Sequence, residues 1–198
     1  MTPGGGGLPR PTWLAAPGFE YVGPLAFDLY DARVVRHHYV DAVGRRICRQ
    51  LIVQLEGFPV GSGRTYRWQV EHPVRLGGVD HEHGVYAWSV SAESRAEPTA
   101  EVARTADFLT QNGLEQGDGQ LMSRFARVVG EARRREVIVF YQEELADLGL
   151  EVGEVAEDDG RLRPERAALG EEITARSLTA LEVAELGPVD EELARLED

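Results

Sequence analysis

Two runs rich in β-branched residues, RVVRHHYV (33–40) and ICRQLIVQLEGF (47–58), are joined by DAVGRR, and this arrangement commits the chain to antiparallel sheet. Asp41 supplies a side-chain acceptor before the turn, and Gly44 a residue free to take positive φ. A second pairing is expected between TYRWQV (65–70) and VYAWSVSAE (85–93). There Tyr66, Trp68 and Val70 alternate on one face and Tyr86, Trp88 and Val90 on another. REVIVFYQ (135–142) is too continuously apolar for a surface helix and reads as a buried strand.

Helical spacing enters between these strands. Val102, Ala106 and Leu109 recur in threes and fours after Pro98, and Asn112 with Gly113 ends the segment. Asp118 then caps a second expected helix with Leu121, Phe125 and Val128 as its apolar stripe. The expected class is α+β: an antiparallel sheet of about five strands with two helices packed on one face, plus an acidic, partly helical C-terminal tail.

Large side chains and charge divide the chain in the same place. All three Trp, six Tyr and six Phe lie at or before Tyr141, so the core belongs to residues 13–150. Residues 1–12, with four consecutive Gly and three Pro, carry too little apolar surface to offset ordering. Residues 151–198 hold 15 acidic and 5 basic residues, a net charge of −10, against −3 for the first 150 residues. This acidic linker and tail includes a helical pattern from about 164 to 186, which Gly170 weakens. The longest apolar runs fall far short of the roughly 20 residues of a membrane-spanning helix, and the N-terminus lacks a charged start followed by an apolar core. The expectation is a cytoplasmic protein with no membrane partner.

The single cysteine, Cys48, excludes an intramolecular disulfide and a CxxC zinc site, and its strand position favours a packing role. GxSxG, P-loop and post-strand GxGxxG patterns are absent, and GVDHEHG lacks the ligand spacing of an EF-hand. His81 and His83, two apart, offer two imidazoles to one side of a strand, and His72 on the facing arm would supply a third ligand. Glu82, Glu143 and Glu144 are the carboxylates that could then serve as base. The competing expectation is a long hairpin connection from His72 to Gly84 with solvated polar side chains, favoured by Gly77, Gly78 and Gly84. His37 and His38, being adjacent, should face opposite sides, one packed inward and one on the outer face.

Residues 33–75 carry eight Arg against three acidic residues, with Tyr39, Tyr66 and Trp68 interleaved. Such a sheet can bind single-stranded nucleic acid, but strict alternation sends aromatics and arginines to opposite faces, so nucleic acid is not favoured. The functional expectation is a non-enzymatic binding or interaction domain for a small anionic ligand, a protein or, less readily, single-stranded nucleic acid. Arg36, Arg49 and Arg67, with Trp68 and Trp88, are its expected ligand-binding residues. The alternative is a metal-dependent enzyme in which His72, His81 and His83 hold a divalent metal. No other cofactor is expected.

Overall fold

Gly44 sits at φ +64° in a two-residue turn, and the hairpin it closes joins β2 (Ala32–Val43) to β3 (Arg46–Gly57). A side chain is strained in that left-handed region, so the glycine is required by the turn itself. The computed structural model describes residues 16–29, 32–57, 74–76, 79–89, 100–117, 119–129, 135–151, 154, 162 and 166–182. The expected strand at 65–70 and the N-terminal segment 1–12 lie outside the described residues.

Among the described residues seven antiparallel strands form one sheet. The others are β1 (Glu20–Leu29), β4 (Val74–Leu76), β5 (Val79–Ser89), β6 (Gly119–Val129) and β7 (Arg135–Glu144), in the order β1-β2-β3-β7-β6-β5-β4. Two meanders, β1–β3 and β4–β7, therefore meet where β3 pairs with β7, with Val53 opposite Val139. These two central strands are buried on both faces, which accounts for the unbroken apolar run VIVFY.

The α+β class with an antiparallel sheet is as expected, and strands stand where none were expected at β1, β6 and β4, the last within the expected hairpin connection. EYVGPLAFDL forms β1 despite Gly23 and Pro24, because it is an edge strand and tolerates a missing donor. The segment expected as a second helix is β6. Leu121 and Phe125 are spaced by four, which satisfies a helical stripe and a strand face alike, and in the structure Leu121, Ser123 and Phe125 are all buried.

The helices are α1 (Ala100–Gln111) and α2 (Ala167–Glu182), and they cover opposite faces rather than one. Odd-numbered residues of the central strands, among them Tyr39, Leu51, Val53, Val139, Tyr141, Leu121 and Phe125, form the main apolar cluster together with Ile173 of α2. On the other face Leu109 of α1 packs with Val40 and Ile47. A register shift after Asp41, which pairs Ala42 with Ile47, turns Ile47 to the α1 side. Gly170, which weakens α2 by propensity, has a packing reason: a Cβ there would lie 2.8 Å from Leu162 Cδ1. Among the described residues no helix is long and apolar enough to cross a membrane.

Candidate ligand-binding site

The two faces of the sheet differ in chemistry. The α2 side is an apolar core, whereas the α1 side carries a buried polar array. Gln50, Gln54, Glu56, Gln120, Gln142 and His38 all point to that side and are at most 4 % exposed. Burying that many amides is costly unless each is hydrogen-bonded, about 1–3 kcal/mol for every unsatisfied group. A face built this way needs hydrogen-bond partners that an apolar face does not.

Arg36 anchors one end of the array. Its Nε donates to Gln54 Oε1, and the Gln54 amide N–H donates onward to Glu56. One terminal nitrogen donates to Thr105 Oγ1 of α1 at 3.3 Å. The guanidinium lies 5.1 Å from the centroid of Phe27 and 5.9 Å from that of Phe140. Arg124 stands 5.2 Å from the same Phe140 ring, and Arg104 stands 5.8 Å from Phe27. Three arginines and two phenylalanines thus alternate in a ladder from Arg104 of α1 across β1, β2, β7 and β6, each ring meeting two cations.

The outer end of the ladder opens into a cleft of about 520 Å³ between β1 and α1, lined by Leu25, Phe27, Asp28, Arg104, Asp107, Phe108 and Gln111 among others. Arg104 also donates to the Asp28 carbonyl at 3.3 Å. Two rings of the cleft lead inward, since Phe27 contacts Arg36 and Phe108 meets the His38 ring at 5.0 Å, tilted by 39°.

His38 is buried, and its Nδ1 lies 3.5 Å from Gln50 Oε1. Desolvation pushes its pKa down to about 4 against the opposing hydrogen bond to Gln50, with Arg36 and His37 adding smaller downward effects. The ring is therefore neutral near pH 7. Because the folded value lies below the ordinary one, the unfolded chain takes up its proton first as pH falls. The stability owed to the neutral ring is whole above about pH 6.5 and is lost down to about pH 4, an effect of about 3 kcal/mol across the window. Urea unfolding of the native chain and His38→Phe at pH 7 and near pH 4 should show the native chain losing about that much more on acidification. Equal losses in the two proteins would mean that the ring titrates normally.

The remaining expected site residues are spread widely. Arg49 faces the α2 side, opposite to Arg36, ion-paired with Asp41 and 5.4 Å from the Phe19 ring. Trp88 is opposite Gln120 in the β5–β6 register, with its side chain outside the described residues, as are Arg67 and Trp68 altogether. His81 is paired with Val74 and His83 with Phe125, which puts both in β5 rather than in a loop. Their side chains, that of Glu82 and all of His72 lie outside the described residues. Among the described residues no group of three His, Cys, Asp or Glu is disposed to hold a metal.

The other carboxylates considered as bases, Glu143 and Glu144, are engaged in ion pairs. Glu143 accepts from Arg176 of α2 at 2.6 Å and from the Tyr141 hydroxyl at 3.1 Å. Burial and the neighbouring Glu143 push that tyrosine up to about 12, with Arg49 opposing. Glu144 is ion-paired with Arg46, and burial raises its pKa despite that partner. Burial likewise raises the thiol pKa of Cys48, which makes it a poor nucleophile. His37 and His38 do face opposite sides, but both are buried, because each face of the sheet is covered. His37 Nδ1 and Tyr21 Oη are hydrogen-bonded at 3.0 Å.

Sequence reasoning picked out Arg36 and missed its neighbours. Gln50, Gln54, Glu56 and Gln142 alternate with apolar residues, and that pattern normally marks a solvated face. A usable signal was their identity: uncharged amides recur where an exposed face would carry more charge. No protein-family model matches the chain, nor does any curated protein or solved structure.

Proposed function

We propose that the chain is a binding domain for a small anionic ligand, held on the α1 side of the sheet. The observation that carries this reading is the setting of Arg36: a guanidinium oriented by Gln54 and Thr105, between two aromatic rings, within a buried polar array. Fixing the guanidinium beforehand lowers the entropy lost when an anion binds. The rings Phe27 and Phe140 offer apolar surface to the body of a ligand beside the charge that orients it. Arg36 and Arg49 face opposite sides of the sheet, which supports this reading over a single arginine-lined surface for nucleic acid.

The test is a titration with benzoate and with inorganic phosphate, followed through the arginine Nε–H resonances of labelled protein. Binding is expected to perturb Arg36, and Arg36→Met is expected to weaken it at least tenfold, about 1.4 kcal/mol, as for loss of a charge-assisted hydrogen bond. No response to either anion, or unchanged affinity in Arg36→Met, would sink the proposal.

A further inference from the structure

Two residues beyond Arg36 on the same face of β2, about 7 Å along the strand, stands the His38–Gln50 pair. Its hydrogen bonding is incomplete. The single contact between imidazole and amide, at 3.5 Å, uses one atom of each. His38 Nε2 and Gln50 Nε2 are buried and have no partner among the described residues. Gln120 Nε2, on β6 of the same face, is in the same condition.

The chemistry of the two remaining atoms is constrained. With Gln50 Oε1 accepting from Nδ1–H, the ring's Nε2 is a bare acceptor and the amide nitrogen a donor. Turning the amide over reverses both roles together: Nδ1 then accepts, Nε2 carries the proton and donates, and the amide oxygen accepts. In either arrangement the pair, joined through its other two atoms at 3.5 Å, is left with one donor and one acceptor, in a site where leaving them unmade is unfavourable.

We infer that His38 and Gln50 recognise a neutral edge of the ligand in which a donor stands beside an acceptor, as in an amide, lactam or nucleobase. This deepens the reading of Arg36 as the anion-holding group and rests on it. The ligand is then a compact anion carrying such an edge within about 7 Å of its charge, with a planar body that meets Phe27 and Phe108, the two rings of the cleft. Selectivity arises because a ligand lacking the edge leaves two buried polar atoms unpaired.

Orotate and benzoate separate this inference from the one beneath it. Both are planar ring carboxylates, and only orotate carries adjacent N–H and C=O groups. Orotate is expected to bind at least tenfold more tightly than benzoate, and His38→Phe or Gln50→Leu to remove that advantage by lowering orotate affinity more than benzoate affinity. In the unaltered protein, the ¹⁵N resonance of His38 Nε2 should move on addition of orotate and stay in place with benzoate, a readout that does not depend on either variant folding. Equal affinity for the two, or an advantage that survives both substitutions, overturns the inference and leaves the anion reading standing. The same holds if the Nε2 resonance stays in place with orotate, as when water alone completes these hydrogen bonds. Failure of benzoate and phosphate alike to bind overturns both readings.

Discussion

Ser123→Arg is expected to leave the chain largely unfolded, at a cost of about 4–5 kcal/mol or more. Ser123 is fully buried on β6, and its hydroxyl accepts from Ser177 of α2 at 3.1 Å. A guanidinium there is packed against α2, and Glu143 on the same face of β7 is already paired with Arg176. Ser123→Ala, which removes only the hydrogen bond, should cost about 1 kcal/mol. The contrast tests the nature of the segment. In a helix with Leu121 and Phe125 on its buried stripe, position 123 would stand on the far side and accept Arg without penalty. Equilibrium unfolding of the three proteins decides it, and a stable Ser123→Arg chain would refute strand β6.

Ile173→Ala should lower stability by about 2–5 kcal/mol, with the urea m-value unchanged. Ile173 is fully buried in the main cluster, and Leu169 and Leu178 of α2 pack against the same cluster. Its neighbour Arg176 also reaches Glu143 on β7, so α2 is tied to the sheet by apolar and charged contacts together. A change below about 0.5 kcal/mol, the scatter of surface substitutions, would show that α2 contributes little. The same contacts bear on shortening the chain after Leu150. That truncation uncovers the cluster around Tyr39, Leu51 and Phe125 and is expected to destabilise the sheet.

The elements legible in the sequence are those where local chemistry and burial agree. Gly44 supplies the conformation its turn requires, VIVFY has no polar position to face water, and Asn112–Gly113 ends α1, with the Asn112 side chain donating to the Phe108 carbonyl at 2.8 Å. The elements that were not legible are those where two periodicities fit equally well or where a distant segment supplies the environment. Leu121 and Phe125 satisfy both helix and strand, and only pairing of β6 with β7, Phe125 against Val139, selects the strand.

The candidate site divides in the same manner. Arg36 and Arg49 look equivalent in a list of strand arginines. They diverge because Arg36 meets Thr105 across the fold, and Arg49 meets Asp41 on the opposite face. Gln50, Gln54 and Glu56 read as the wet side of a half-buried strand until they are buried in the folded chain.

By itself the sequence determined the antiparallel hairpin, the central buried strand, the first helix and the confinement of aromatic residues to the body. Each follows from turn chemistry, side-chain branching and the need to bury large apolar groups, all of which act within a few residues. Tertiary structure alone decided which amides are buried, which arginines converge on Phe140 and which face each helix covers. Those outcomes depend on pairing between residues far apart in the chain, such as Val53 with Val139, and no local pattern encodes what a side chain will meet at that distance.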